Sequence, residues 1–251
     1  MIKKDLAAGI VQYMFPPKKP ENHYGYNIVA ITHKNKALLI DVAFEDEASQ
    51  VIEDLSANDI VVDKVIVSHF HDDHMEGLKL LPNVTIYGSH RFQETLDMWT
   101  PKEKHKYFIP AIAVEKPMTI EFGNHRLEII PLPGHSVCTV IIKINEQFLY
   151  TADEILYSND GQPLLPGLEG RGVIKRQLKA WNKIKDYQAL TIIPGHGSAI
   201  EGSALLKDIQ NRSAYAQSIS EADGSITYEE AVRNCDCTFL QIDWFDDLAE
   251  K

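Results

Sequence analysis

One short stretch, His69-Phe70-His71-Asp72-Asp73-His74, holds more side chains able to bind a metal ion than packing could use. It follows Val65-Ile66-Val67-Ser68, which has the pattern of a buried strand. Neutral imidazole and carboxylate are donors that suit zinc, iron or manganese. Alternate residues of an extended segment point the same way, so His69 and His71 can converge on one ion. Asp73 and His74 fall where the chain turns toward a helix, and they can address a second. A structural role alone explains little, because so many polar heads beside a buried strand would be desolvated without a partner.

Three further segments repeat the same design of strand followed by polar ligand. Ile129-Ile130-Pro131-Leu132-Pro133-Gly134-His135-Ser136 brings His135 just past a strand, and Phe148-Leu149-Tyr150-Thr151-Ala152-Asp153 does so with an aspartate. Thr191-Ile192-Ile193-Pro194-Gly195-His196-Gly197 does it again with a histidine. Each is weak alone, since a Gly-His turn is usually only a turn. Together they put five of the ten histidines, with Asp73 and Asp153, at strand ends. Strand ends are where ligand-binding loops gather in layered α/β folds.

The elements that must hold these residues are short β-rich runs alternating with helical patterns, which predicts a layered α/β domain. A first strand is expected near the start. Others are expected at 27–32, 37–42, 64–68, 84–87, 118–122, 126–131, 139–144, 148–151 and 190–194. Helical periodicity covers 46–55, 90–98, 173–184 and 204–220, and beyond residue 200 the chain reads as a helical extension. One domain is expected over residues 1–251, with its core at 25–200 and the extension at 201–251. Lysine and arginine number 25 against 36 aspartates and glutamates, a formal charge of −11. That disfavours a sequence-independent nucleic-acid binder. No apolar run reaches the roughly 18 residues a membrane span requires. Three cysteines, Cys138, Cys235 and Cys237, are too few for a disulfide framework, and a cytoplasmic protein is expected.

The ordered set H-x-H-x-D-H, Pro-Gly-His-Ser, Thr-Ala-Asp and Pro-Gly-His-Gly resembles the metallo-β-lactamase superfamily over residues 25–200. Asp41, closing Leu38-Leu39-Ile40, matches the aspartate that supports the metal-binding loop there. The resemblance implies an αββα sandwich with metals at one edge, and two divalent ions, zinc first, with manganese or iron as alternatives. His69, His71 and His135 would bind one ion, Asp73, His74 and His196 the other, and Asp153 would bridge them. A water held between the ions as hydroxide would attack the substrate, with Asp73 also assigned to catalysis. An aspartate at 153 argues against the β-lactamases that have cysteine there. The remaining branches resemble glyoxalase II-like thioesterases and N-acyl homoserine lactonases.

The expected function is therefore hydrolysis of a small carbonyl substrate, a lactone or thioester. The competing readings are a phosphodiesterase on the same centre, a mono-iron sulfur dioxygenase and a non-catalytic binding module. A small-molecule partner is expected, without nucleic acid or membrane. For substrate contact the candidates are Tyr157, which packing would explain equally well, and Tyr24 and Tyr26. These two belong to a Pro-rich loop, 15–26, that is either a flap over the site or an ordinary surface connection. Arg171, Lys175, Arg176, Lys179, Lys183 and Lys185 form a basic helix, best read as a solvated face although a carboxylate-bearing substrate would also explain it.

Overall fold

The computed structural model describes residues 1–168, 171–222 and 226–248. Residues 223–225 and 249–251 of the expected helical extension lie outside the described residues, as does the side chain of Arg171. The first sheet has seven strands, in space as in sequence: β1 (Ile2–Ala7), β2 (Ile10–Met14), β3 (Asn27–His33), β4 (Lys36–Ile40), β5 (Val61–Ile66), β6 (Thr85–Ser89) and β7 (Ile112–Val114). It is antiparallel from β1 to β4 and parallel from β4 to β7. The second sheet has five: β8 (Met118–Phe122), β9 (His125–Pro131), β10 (Val140–Ile144), β11 (Phe148–Ala152) and β12 (Thr191–Pro194). Only its β11–β12 pair is parallel.

Strand side chains alternate between faces, and here both faces are apolar, so each sheet is buried on two sides. Val29, Ile31, Leu38 and Ile40 of the first sheet meet Leu127, Ile129, Ile142 and Tyr150 of the second in one core. Ile28, Ala30 and Leu39 point the other way and pack with Val51 and Leu55 of α1 (Glu45–Ser56). On the far side, Ile141 and Leu149 pack with residues of later helices. The short α2 (Asp72–Met75) and α3 (Phe92–Trp99) follow β5 and β6, and the later helices are α4 (Arg171–Ile184), α5 (Gly202–Glu221) and α6 (Tyr228–Ala231). Helix, sheet, sheet, helix is the predicted αββα order.

Differences from the sequence expectation have local causes. The expected first strand is a hairpin, β1 and β2, turning at Gly9 with φ +75°. A three-residue strand after Pro110, β7, is too short to show a period. The sheet thus begins well before residue 25, and the region after 200 contributes Leu205, Ile209, Tyr215 and Phe239 to the core on the outer face of the second sheet.

That region is anchored by Arg212 of α5, 1% exposed. Its guanidinium pairs with Asp208 at 2.7 Å and donates to the Leu164 and Leu156 carbonyls at 3.0 and 2.7 Å. Arg212→Ala is expected to destabilise the fold by about 3–5 kcal/mol, since it leaves a buried carboxylate and two carbonyls unpaired. Lys3→Ala, at an exposed pair with Asp54, should cost under about 1 kcal/mol. Denaturant unfolding of both variants measures the difference.

Candidate metal centre

Five loops at strand ends meet at one edge of the sandwich. Asp41 follows β4, residues 68–74 follow β5, His135 follows β9, Asp153 follows β11 and His196 follows β12. The backbone is bent hard to do this. Asp41 and Ala152 both take left-handed conformations, φ +56° and +50°, and such residues persist only when their surroundings over-determine them. The Gly-His pairs also have a steric reason. A Cβ on Gly195 would overlap Asp153 Oδ1, and one on Gly134 would overlap Glu154 Oε2.

The structure brings together all seven side chains named as ligands. His71 Nδ1 lies 3.1 Å from His69 Nε2 and 3.2 Å from His135 Nε2. On the other side, His196 Nε2 lies 3.4 Å from Asp73 Oδ2, and His74 Nε2 lies 3.8 Å from Asp73 Oδ1. Asp153 stands between the groups. Its Oδ2 is 3.8 Å from His69 Nε2, 3.7 Å from His135 Nε2 and 3.3 Å from His196 Nε2, while its Oδ1 is 3.2 Å from His74 Nε2. Donor atoms within each of the sets His69–His71–His135, His69–His74–Asp153 and Asp73–His74–His196 lie within 4.8 Å of one another. His74 Nε2 and Asp153 Oδ1 are buried without a hydrogen bond, a cost that native structures rarely bear. Nitrogen and oxygen donors in this number, with inward atoms left open, fit divalent ions.

The outward atoms are held. Asp41 Oδ2 accepts from His74 Nδ1 at 2.8 Å, Ser68 Oγ at 2.6 Å and Tyr150 Oη at 2.7 Å, while Oδ1 accepts from Ser68 N at 2.7 Å. His196 Nδ1 donates to the Gly25 carbonyl at 2.8 Å. Asn27 Nδ2 donates to the carbonyls of Pro194 and Gly197, clamping the loop that carries His196. Glu154 Oε1 accepts from His135 N at 2.9 Å, and Gln177 donates to Oε2 at 2.7 Å. Such outer partners fix which imidazole nitrogen faces inward.

Charge divides the site into halves. Burial lowers His74, but the Asp153, Asp73 and Asp41 carboxylates outweigh it and hold the ring well above its ordinary value. His196, also pulled down by burial, is raised to about 10 by Asp153 and Asp73. Burial alone would raise Asp73, yet His74 and His196 hold it at about 2. In the other half, burial dominates. It pulls His135 down to about 4 despite Asp153, and it also lowers His69 and His71. Burial likewise pushes the Glu154 carboxyl up to about 8, against its hydrogen bonds to His135, Gln177 and Thr139.

His71, Asp73, His135, Asp153 and His196 line a pocket of about 480 Å³, with His69 and His74 buried behind them, and its walls include Tyr24, Met98, Trp99, Leu156, Leu168, Arg176 and Trp244. Tyr24 sits where the loop reading needs it, its ring 5.0 Å from His196 and 5.4 Å from Trp244. Burial, with Asp73 and Asp153 nearby, pushes its phenol up to about 12, so it remains protonated. Two expectations are corrected. Tyr26 touches His196 but turns into the core against Phe44 and forms no wall of the pocket. Tyr157 is 4% exposed and packs under α5, its ring 5.6 Å from the Arg212 guanidinium. Its backbone N–H bonds to the His196 carbonyl, while its side chain packs away from the pocket. The basic helix is also only partly a solvated face. Lys175, Lys179 and Lys183 are exposed, whereas Arg176 lines the pocket. Arg176, Trp99 and Trp244 carry no motif, and only the fold brings them to the site.

The family model described as the metallo-beta-lactamase superfamily matches residues 23–196. The chain belongs to this superfamily. Among curated relatives, the Beta-lactamase-like protein 2 homolog of Drosophila melanogaster is 24% identical over 190 residues, covering 70% of this chain and 60% of that protein. The Hydroxyacylglutathione hydrolase of Haemophilus ducreyi is 23% identical over 139 residues, 54% of this chain and 52% of its own length. The chain thus spans only 60% and about half of these two relatives. Two solved structures share the fold: a metallo-beta-lactamase from Pontibacter korlensis, with TM-score 0.68, 16% identity and coverage of 84% and 99% of the two chains, and TMB-1, with TM-score 0.68, 18% identity and coverage of 88% and 98%. No described helix is long and apolar enough to cross a membrane.

Two outcomes follow from this geometry. The raised His74 and His196 stabilise the fold below pH 6.5, and their contribution is lost as pH rises through their raised values, about 10 for His196. The lowered His69, His71 and His135 act oppositely. Their contribution is complete above pH 6.5 and is lost as pH falls through their lowered values, about 4 for His135. Chelator-treated protein should therefore be most stable near pH 6.5, and saturating zinc should remove the alkaline decline, because ions bind the deprotonated rings. Denaturant unfolding across pH 5 to 9 checks this, and a steady rise over that range in chelator would contradict it. Second, Asp41→Asn should weaken zinc affinity by about 10–100-fold, read by competition with a chromophoric chelator.

Proposed function

We propose that this chain is a metal-dependent hydrolase of a small acyl substrate, with a thioester favoured over a lactone. The observation that carries the reading is the convergence of seven nitrogen and oxygen donors at one edge of the sandwich, five of them, His71, Asp73, His135, Asp153 and His196, lining one pocket. A relative named hydroxyacylglutathione hydrolase, which by its name cleaves an acyl group from a thiol, supports the choice of thioester. His69, His71 and His135 would hold one divalent ion, Asp73, His74 and His196 a second, with Asp153 shared and zinc the first candidate. Bound divalent ions supply a lowered water pKa and polarise a carbonyl.

The protein's own groups do the rest. Asp73 reaches the pocket, where its carboxylate is placed to orient the attacking water and accept its proton. Water adds to the acyl carbon, the C–S bond breaks, and the products are a carboxylate and a thiol. Tyr24, Trp99 and Trp244 bound the space beside the donors, and a substrate seated there would displace water and so strengthen electrostatic stabilisation of the developing oxyanion. The 15–26 loop thus acts as a wall of the pocket through Tyr24. A phosphodiesterase has less support, because Arg176 is the only lysine or arginine lining the pocket among the described residues.

Zinc-loaded protein is expected to release thiol from simple acyl thioesters. His71→Ala and Asp153→Ala should each lower kcat by on the order of 100-fold or more while the far-ultraviolet circular dichroism stays that of the parent. Near-parental turnover in His71→Ala would remove the centre from the reaction.

A further inference from the structure

Arg176 differs from the other arginines whose side chains the structure describes. Arg91 pairs with Glu94, Arg126 with Glu121, Arg212 with Asp208 and Arg233 with Glu230. Arg176 has no ion pair among the described residues. It is half-buried on the pocket-facing side of α4. Its Nε donates to the Gly134 carbonyl at 2.8 Å and its Nη2 to the His135 carbonyl at 3.3 Å. The nearby carboxyl of Glu154 is engaged with His135 N and Gln177 instead.

The result is a guanidinium held by two backbone carbonyls, with Nη1 making no hydrogen bond among the described residues. The Glu154 carboxyl acts on this cation only from beyond ion-pair distance, so a half-buried guanidinium is left with room for a closer counter-charge. Arginine presents a planar fork of donors that matches a carboxylate in geometry as well as in charge. Around it the pocket is apolar: Val173, Leu168, Val137 and Trp99 are among its walls, and Met98 and Trp99 at its rim are 69% and 48% exposed. The walls suit a hydrocarbon body, and the cation suits one anionic end.

We propose that Arg176 determines specificity by receiving a carboxylate carried by an otherwise apolar substrate. The anion site stands on this geometry alone, whereas calling its ligand a substrate rests on the acyl hydrolysis proposed above. A charge-assisted pair of this kind is worth about tenfold or more in affinity.

The test uses zinc-loaded protein and two probes of the same shape, hexanoate and hexanamide, by titration calorimetry. Wild type should bind hexanoate more tightly, and Arg176→Gln should lose about tenfold or more for hexanoate with far less change for hexanamide. Arg176→Lys keeps the charge without the fork, so it should hold hexanoate more weakly than wild type and still prefer it to hexanamide. If Arg176→Gln does not fold, the lysine variant decides, and absence of that preference overturns the proposal. Equal weakening of both probes in Arg176→Gln would make Arg176 a strut for the His135 loop, and unchanged hexanoate affinity would place the carboxylate on the metal instead. Either result overturns it. Turnover separates the two proposals. Hexanoate selectivity without hydrolysis of any thioester would sink the hydrolase reading and leave the anion site. Equal kcat/KM for a glutaric acid monothioester and its uncharged amide would do the reverse.

Discussion

The Asp41 carboxylate is the constraint on which the edge of the sandwich depends. Four hydrogen bonds converge on it, from Ser68 N, Ser68 Oγ, His74 Nδ1 and Tyr150 Oη. They tie together the end of β4, the loop after β5 and strand β11 of the opposite sheet. A fully buried charge is tolerated only when so completely hydrogen-bonded, and the bonds that satisfy it also aim His74 Nε2 inward. The left-handed backbone at Asp41 is the local cost of putting that carboxylate where both sheets can reach it.

From there the rest of the site follows by charge. Two carboxylates, Asp73 and Asp153, face five largely buried imidazoles, and the protons divide unevenly among them. His74 and His196 keep theirs beside the carboxylates, while burial strips His69, His71 and His135. Cations at the centre would take over the role of those protons. His74 Nε2 and Asp153 Oδ1, buried 3.2 Å apart without a well-formed hydrogen bond, are the same tension seen as hydrogen bonding. Beyond the donors, the pocket is mostly hydrocarbon, so a reacting group there would meet fixed charges in a region of low dielectric.

Much of this is legible in the sequence because a donor needs a strand end to hold it. Buried strands announce themselves as runs such as Val65-Ile66-Val67, and His or Asp placed just after each one marks the loop that carries it. The αββα order follows from those runs, since strands apolar on both faces require cover on both sides. What stays hidden depends on contacts between distant segments. Tyr157 lies only four residues past Asp153, yet its side chain packs against Arg212 of a helix more than fifty residues on. Arg176 looks like its lysine neighbours, and only the helix's rotation against the second sheet turns it into the pocket. Trp244 reaches Tyr24 from more than two hundred residues away in the chain, and no local pattern encodes that.

The central claim is that these seven side chains form one centre for two ions that share Asp153. A crystal structure of the zinc-loaded protein, with anomalous scattering measured at the zinc edge, tests it most directly. The account predicts two peaks, one within bonding distance of His69, His71 and His135 and one within bonding distance of Asp73, His74 and His196, with an Asp153 oxygen on both. A single fully occupied peak, or zinc bound away from Asp153, would contradict it.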